Sequence, residues 1–261
     1  MIGNNYIHEI AKDHFEMIDD IAYFVSEKEL DYNIEYANEL VTGCWIEKNW
    51  NKHLNLMDEY IKRIAKRIAE KGGTIVEIGT GPGGGFMPFV LDENINASII
   101  ISDLCPTVVK EWKRFFEKEI NPKNIKYAVL NTCYMPFKDE TIDVVSGNGG
   151  FGNIEGDKIK ALKEIYRILK QGGMYVIGDI YITKEYIEKI PVNAYNILNE
   201  RFPDIFIDYY KESIDVGFKK IENITGKTWS NKNDESTLAS LCRELGIYLE
   251  FSTYTRYCYK D

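Results

Sequence analysis

The sequence predicts an α/β fold with a doubly wound, mostly parallel β-sheet, and two observations lead to this prediction. The chain from residue 72 onward contains short apolar runs, most of them rich in Val and Ile. Strands that helices cover on both faces of a parallel sheet have this composition. Amphipathic stretches separate the runs, and strands that alternate with helices indicate consecutive βαβ units. No internal repeat or low-complexity linker divides the 261 residues, so we expect one core with covers attached to it.

The part of the chain before the glycine pair Gly72-Gly73 is predicted to be helical. The three predicted helices cover residues 5–24, 31–41 and 54–71. The glycine pair ends the third helix, because glycine is a common helix stop. Residues 1–71 are therefore expected to form a helical N-terminal cap, and residues 72–261 the core with its lid.

Five strands and three connecting helices are predicted for the core. The strands cover residues 74–78, 98–102, 125–130, 142–145 and 174–177, and the helices cover 85–91, 107–119 and 158–170. Beyond Asp179 the alternation stops, and the polar-aromatic stretch 181–216 is predicted to be a helical lid inserted after the fifth strand. Two further strands, 218–228 and 248–259, are predicted on either side of a helix at 235–245.

Composition limits the possible partners and locations. The net charge is −9, and the densest basic stretch, 62–71, has the spacing of a solvated helix face. Nucleic acid and membrane surfaces are therefore not expected as partners. No apolar run approaches the roughly 20 residues that span a bilayer, and charges interrupt the N-terminus, so we expect no signal peptide and a cytoplasmic location. The five cysteines are scattered without a CxxC pair, which favours buried free thiols over a metal site or disulfides.

The stretch from Thr74 to Phe86, TIVEIGTGPGGGF, is the most informative part of the sequence. A predicted strand leads through a glycine-rich turn into a helix. Glycine lets the backbone turn sharply and approach a ligand closely, and a helix start offers free N–H groups and the positive end of a dipole. The stretch therefore predicts a ligand-binding loop.

Two ligand classes fit this loop. The glycines of the dinucleotide pattern GxGxxG are present as Gly79, Gly81 and Gly84. Asp103 follows Gly84 by 19 positions, near the ribose-binding carboxylate that this pattern expects. The loop also resembles the E/D-x-G-x-G-x-G loop of class I S-adenosylmethionine-dependent methyltransferases, with Gly79, Gly81 and Gly83 as its glycines. Glu77 favours the methyltransferase, because a carboxylate suits an ammonium and a sulfonium and suits a pyrophosphate poorly.

The segment Ile99-Ile-Ile-Ser-Asp103-Leu104 resembles the end of the family's second strand, where an acidic residue holds both ribose hydroxyls. The resemblance places Asp103 and Leu104 at the cofactor, and a carboxylate can accept two hydrogen bonds from a vicinal diol. An alternative stays open, because Asp is also a preferred N-cap for the helix predicted at 107–119.

Residues 131–145, NTCYMPFKDETIDVV, resemble the family segment D-A-x-x-L-P-F-x-D-x-x-F-D-x-V. The resemblance implies that Asn131 and Thr132 contact the cofactor, with residue 131 at the exocyclic amine of adenine. The chain departs from the family by carrying Asn131 in place of Asp and Thr132 in place of Ala. An Asn carbonyl can still accept a hydrogen bond from that amine.

Residues 161–177 resemble the family's helix E-x-x-R-x-L-K-P-G-G and the strand after it, with Gln171 in place of Pro. Dehydrogenases share neither this segment nor the preceding one. The resemblance, which covers residues 74–179, therefore implies a Rossmann-like fold with S-adenosyl-L-methionine as cofactor and S-adenosyl-L-homocysteine as product. Ligands of such sheets bind outside the carboxyl ends of the strands, and the resemblance places the backbone at Asn148 against the methionine amino group.

The functional hypothesis is transfer of a methyl group from S-adenosylmethionine to a small-molecule acceptor that the sequence does not identify. The sulfonium activates the methyl group, so the protein mainly positions the acceptor and excludes water, and no catalytic residue is assigned. We expect the aromatic segments 1–50 and 181–216 to enclose the acceptor. Two alternatives stay open: a module that binds the cofactor without turnover, and a nicotinamide-dependent oxidoreductase.

Overall fold

One β-sheet organises the computed structural model, which describes residues 5–25, 59–92, 96–119, 124–154, 156–182, 184–202, 205–206, 209–232 and 237–261. Its strands are β1 (Glu16–Ile18), β2 (Ile21–Tyr23), β3 (Gly73–Glu77), β4 (Ala97–Asp103), β5 (Ile125–Val129), β6 (Ile142–Asn148), β7 (Leu169–Ile182), β8 (Lys220–Ser230) and β9 (Glu250–Tyr259). The described helices are α1 (Asn5–Ile10), α2 (Glu59–Lys71), α3 (Met87–Asp92), α4 (Pro106–Glu119), α5 (Lys158–Ile168), α6 (Lys184–Ile187), α7 (Val192–Arg201), α8 (Tyr210–Val216) and α9 (Thr237–Glu244).

The strands follow the order β1-β2-β5-β4-β3-β6-β7-β9-β8 across the sheet. The six strands from β2 to β7 in this order are mutually parallel, whereas β1, β9 and β8 each run antiparallel to a neighbour. The predicted doubly wound, mostly parallel sheet is therefore confirmed. The strand order changes direction between β3 and β6, and open α/β sheets bind their ligands at the carboxyl ends of the strands beside such a point.

Successive residues of the central strands face two separate helical layers. Ile75 packs in the layer that contains Ile68 of α2 and Trp112 of α4. Its neighbour Val76 packs on the opposite face, in the layer that contains Ile165 of α5. Because both faces are buried, the strands read as nearly continuous apolar runs, which is the pattern that predicted them.

The N-terminal segment differs from the predicted helix over 5–24. Only α1 is helical, and β1 and β2 form an antiparallel hairpin. Asp19 and Asp20 join the two strands with positive φ angles of 49° and 58°, as a two-residue type I′ turn requires. The hairpin is held because β2 pairs with β5, with Tyr23 next to Val129. The prediction of a wholly helical cap is therefore wrong for these residues, because pairing with the sheet outweighs a helical apolar pattern.

The other predicted elements of residues 1–179 have mixed outcomes. The helix predicted at 31–41 lies outside the described residues, and the helix predicted at 54–71 is described from Glu59 onward. The first four core strands and the three core helices are confirmed, with no end shifted by more than three residues. The fifth strand, predicted at 174–177, extends over 14 residues as β7, because β9 pairs with it from Met174 to Ile182.

The predicted lid at 181–216 is helical only in part. Its first two residues still belong to β7, and the helices α6, α7 and α8 follow. Residues from α7, α9 and the adjoining ends of β7 and β9 form a separate small apolar cluster: Ile182, Ile190, Ala194, Leu198, Leu241, Cys242, Leu249 and Phe251. The segment therefore begins beside the carboxyl end of β7, the edge of the sheet at which β3 and β4 also end. The two strands and the helix predicted after it are confirmed as β8, β9 and α9.

Four cysteines can be compared with the prediction of buried free thiols. They are Cys105, Cys133, Cys242 and Cys258, and each is buried and unbonded, as predicted. The fifth, Cys44, lies outside the described residues. Over the ranges that the structure describes, no helix combines the length and the apolar character needed to cross a bilayer.

Candidate cofactor-binding site

The loops that follow β3 and β4 are tied together at the carboxyl edge of the sheet. The backbone N–H and the hydroxyl of Thr80 both donate hydrogen bonds to the carbonyl of Ser102, at 3.1 and 2.9 Å. The N–H of Gly81 donates to Asp103 Oδ2 at 2.8 Å. The glycine-rich loop, residues 79–85, is therefore fixed to the end of β4 at two consecutive positions.

Glu77, at the end of β3, is completely buried beneath this loop. Its carboxylate accepts hydrogen bonds from the Phe86 N–H at 3.0 Å, from the Ser146 hydroxyl and from the Asn148 N–H. Burial raises the pKa of Glu77 to about 7, although these three donors favour the charged form. The carboxylate thus joins the start of α3 to the end of β6, and its predicted direct contact with a cofactor stays a prediction.

Three glycines of the loop are required by the protein's own packing. A methyl group on Gly79 would lie 2.9 Å from Gly150 Cα, and one on Gly84 would lie 2.8 Å from Trp112 Cζ2. At Gly85 it would overlap the Glu77 carboxylate, only 1.6 Å from Oε1. All three glycines also have positive φ, which disfavours any side chain.

Gly81 and Gly83 have different surroundings. A methyl group on Gly81 would approach no atom more closely than 3.9 Å, and one on Gly83 would meet nothing within 4 Å. Gly81 has a positive φ of 54°, whereas Gly83 does not lie in that region. The packing of the described chain gives no reason for glycine at 83. The loop therefore leaves room for a side chain at Gly81 and open space at Gly83, and the approach of a cofactor to these two positions stays a prediction.

Asp103 is held at the end of β4 and faces this loop. Besides the Gly81 N–H, its carboxylate accepts from the Cys105 N–H at 2.9 Å and from the Leu104 N–H. Burial raises the pKa of Asp103 above its ordinary value, and the N–H donors partly offset the effect. These N–H partners all lie outside α4, which begins at Pro106, so the described contacts do not make Asp103 the N-cap of that helix. Its carboxylate can still accept hydrogen bonds from a ligand, since each oxygen can accept two.

Two of the remaining predicted residues lie after β5. Asn131 caps the short 3₁₀ helix Thr132–Tyr134, and its Oδ1 accepts from the Cys133 N–H at 2.9 Å. Thr132 is buried, with 8% of its surface exposed. The strands β4 and β5 are adjacent and parallel, with Asp103 beside Val129, so the loops that carry Asp103 and Asn131 leave the same edge of the sheet. Contact of Asn131 with adenine, and of Leu104 and Thr132 with the cofactor, stays a prediction.

Asn148 ends β6 with an exposed side chain, beside Gly178 of β7. A methyl group on Gly178 would lie 2.5 Å from Asn148 Oδ1, so this glycine makes room for the Asn148 amide. The structure therefore brings Asn148 to the same edge as Glu77 and Asp103. Its contact with the methionine part of a cofactor stays a prediction.

Sequence reasoning missed two residues of this site. Ser146, which donates to Glu77, lies beside it in the sheet register, and a serine inside the apolar run of β6 was the available signal. Trp112 of α4 donates its indole N–H to the carbonyl of Gly81 at 2.7 Å. No sequence signal marked this contact, because Trp112 lies 31 positions from Gly81 and fits the apolar stripe of its helix.

Residues 76–177 match the family model described as "Methyltransferase domain". This range contains the end of β3, the strands β4 to β6, the glycine-rich loop and Asp103. Residues 76–177 therefore form a class I S-adenosylmethionine-dependent methyltransferase domain. S-Adenosylmethionine is the cofactor of this domain, with S-adenosylhomocysteine as the product.

One curated relative of the methyltransferase is the ubiquinone/menaquinone biosynthesis C-methyltransferase UbiE of Marinomonas sp.. The two are 26% identical over 143 residues, which cover 55% of this chain and 53% of the relative. The chain thus spans about half the length of the relative that it matches.

Solved structures share the fold of the methyltransferase. The YcgJ protein of Bacillus subtilis superposes with a TM-score of 0.60 at 15% identity, over 78% of this chain and 99% of that one. The Haemonchus contortus phosphoethanolamine N-methyltransferase 2, in complex with phosphomonomethylethanolamine and S-adenosylhomocysteine, also gives a TM-score of 0.60, at 16% identity. That likeness covers 90% of this chain and 61% of the Haemonchus chain. At these identities the likeness establishes the Rossmann-like fold.

Proposed function

We propose that this chain transfers the methyl group of S-adenosylmethionine to a small-molecule acceptor. The observation that carries the proposal is the glycine-rich loop. Its packing-constrained glycines and its ties to Glu77 and Asp103 hold it rigidly, while Gly81 and Gly83 leave open space at the switch point. A held loop with an open face is suited to a ligand that approaches the backbone closely.

The residues present fit the cofactor's chemistry at three places. Asp103 would accept hydrogen bonds from the ribose hydroxyls, Asn131 would bind the adenine amine, and the backbone at Asn148 would bind the methionine end. When bound, S-adenosylmethionine supplies a methyl group that its sulfonium already activates. The protein's own task is then to hold the acceptor roughly 3–3.5 Å away, in line with the methyl group, and to exclude water.

The lid and the names of similar proteins support a small acceptor. The segment 181–216 begins at the carboxyl end of β7, beside the proposed cofactor position, and its described helices are packed onto the sheet. The curated relative is named for ubiquinone and menaquinone biosynthesis, and the Haemonchus structure contains phosphomonomethylethanolamine. The compounds in these names are far smaller than a protein or a nucleic acid but chemically unlike, so the proposal concerns acceptor size and leaves the acceptor atom undefined.

The test is to supply the purified protein with methyl-labelled S-adenosylmethionine and a cell extract. The extract is then separated into small-molecule, lipid, protein and nucleic-acid fractions. Label in the small-molecule or lipid fraction supports the proposal, and label in protein or nucleic acid contradicts it. Cofactor binding without any label transfer would favour the module that binds without turnover.

Thermal shifts with S-adenosylmethionine and NAD test the oxidoreductase, since a ligand at 100 times its Kd stabilises by about 2.7 kcal/mol.

Replacement of Asp103 by Ala tests the assignment of the ribose site. Charge-assisted hydrogen bonds contribute roughly 1.5–3 kcal/mol, so Asp103→Ala should weaken S-adenosylhomocysteine binding about tenfold or more in calorimetry. Asp143→Ala is the matched control. Asp143 accepts from the Thr74 N–H at 2.8 Å at the opposite edge of the sheet, so its loss should lower stability and leave affinity unchanged. Equal affinities of the Asp103 variant and wild type would refute the assignment.

A further inference from the structure

Both backbone polar groups of Gly81 form hydrogen bonds with side chains. Its N–H donates to Asp103 Oδ2 at 2.8 Å, and its carbonyl accepts from the Trp112 indole at 2.7 Å. Asp103 is the last residue of β4, and Trp112 lies at the end of the second turn of α4. Side chains from two different elements, β4 and α4, thus hold the N–H and the carbonyl of the same loop residue.

Trp112 also packs beneath the loop through its ring. Its side chain is completely buried and stacks on Phe116 with ring centroids 5.1 Å apart. A methyl group on Gly84 would lie 2.8 Å from Trp112 Cζ2, so glycine at that position permits the close approach of the indole. A buried indole N–H needs an acceptor, and the Gly81 carbonyl provides it.

Gly81 needs these two hydrogen bonds because its own φ and ψ angles are only weakly restricted. Its φ is +54°, and glycine populates positive and negative φ about equally. The nearest atom to its hypothetical methyl group is 3.9 Å away, so neighbouring atoms do not hold this residue in place. Pro82 fixes the φ angle that follows Gly81, so a change of ψ at Gly81 would move its carbonyl together with the rest of the glycine-rich loop.

We propose that Trp112 is a positioning residue for the cofactor: its indole N–H fixes the Gly81 carbonyl and, through it, the glycine-rich loop at the proposed binding site. This inference rests on the proposed function, because it concerns the same site. Trp112 itself need not touch the cofactor. Its contribution is to keep the loop in the binding conformation before the ligand arrives, which avoids an ordering cost on binding.

The test is Trp112→Phe, which keeps an aromatic ring and removes the N–H donor. The Kd of S-adenosylhomocysteine should rise about tenfold, equivalent to about 1.4 kcal/mol. In a methyl-transfer assay the KM for S-adenosylmethionine should rise while the KM for the acceptor is unchanged. Phe116→Leu is the matched control, because it alters the same packed cluster without touching the loop. It should destabilise the fold by at least as much and leave the Kd unchanged.

A second measurement serves if Trp112→Phe does not fold. In wild-type protein, the indole N–H resonance of Trp112 should shift when S-adenosylhomocysteine is added, whereas that of Trp229 in β8 should not. A normal Kd in folded Trp112→Phe, an equal rise in Phe116→Leu, or an unmoved Trp112 resonance in protein that binds would overturn the inference. Wild-type protein that binds no S-adenosylhomocysteine would instead refute the proposed function.

Discussion

Gly85→Ala is expected to destabilise the fold by about 2–5 kcal/mol, because overpacking and the loss of a buried hydrogen bond each cost about 1–3 kcal/mol. The added methyl group would lie 1.6 Å from Glu77 Oε1, so either the carboxylate or the start of α3 has to move. Either movement breaks the hydrogen bond from the Phe86 N–H to Glu77. Chemical denaturation at pH 7 measures the change.

Substitutions at two other glycines separate the steric clash at Gly85 from the effects of backbone conformation and ligand binding. Gly246 has a φ of +68° and nothing within 4 Å of its hypothetical methyl group, so Gly246→Ala should cost only about 1 kcal/mol for the backbone conformation. Gly83→Ala should change stability by less than about 0.5 kcal/mol, as ordinary surface substitutions do. It should nevertheless weaken S-adenosylhomocysteine binding about tenfold, because its methyl group enters the proposed cofactor space. Equal stabilities of the three variants would contradict the packing described for Gly85.

The free energy of unfolding is expected to fall as the pH rises from about 5 to 8, because of Glu77. Burial raises the pKa of Glu77 from its ordinary 4.5 to about 7 in the folded protein. The folded state therefore binds a proton more tightly than the unfolded state does. This contribution to stability is fully present below about pH 4.5 and is lost as the pH rises through about 7. Since one pKa unit corresponds to about 1.4 kcal/mol, the loss should amount to a few kcal/mol.

Glu77→Gln provides the control, because it keeps the shape of the side chain and removes the titration. Urea denaturation of both proteins at pH 5, 6, 7 and 8 gives the difference in unfolding free energy at each pH. Relative to wild type, the Gln variant should become more stable as the pH rises. Burial also raises the pKa values of Asp103 and Asp179, but these groups are common to both proteins. A difference that does not vary with pH would contradict a raised pKa at Glu77.

Local pattern was sufficient to predict the central strands and the glycine-rich loop. The runs around Ile75, Ile100 and Val144 are apolar because both faces of each strand are buried, and this property is visible in any short window. The same holds for the positions of Glu77, Asp103 and Asn148, since each ends a strand at the carboxyl edge. These features could be predicted because each depends on a few consecutive residues.

Features that depend on distant partners could not be predicted in this way. The residues of β2 pair with β5 across roughly a hundred positions, so nothing nearby in sequence distinguished a hairpin from a helix except the Asp19-Asp20 turn. The length of β7 depends on β9, which lies far along the chain. The Trp112 contact likewise became visible only when α4 was placed beside the loop.

The pairing of β2 with β5 also determines when the N-terminal hairpin can become protected during synthesis. Ile21 and Ala22 are buried in the finished sheet, next to Tyr127 and Ala128. A ribosome that adds about 5–20 residues per second needs roughly 5–20 s to translate the chain from β2 to β5. Throughout that interval the nascent chain carries an apolar strand whose partner has not yet been made. Unpaired strands of this kind promote aggregation, so this hairpin stays open to other chains until β5 has been made.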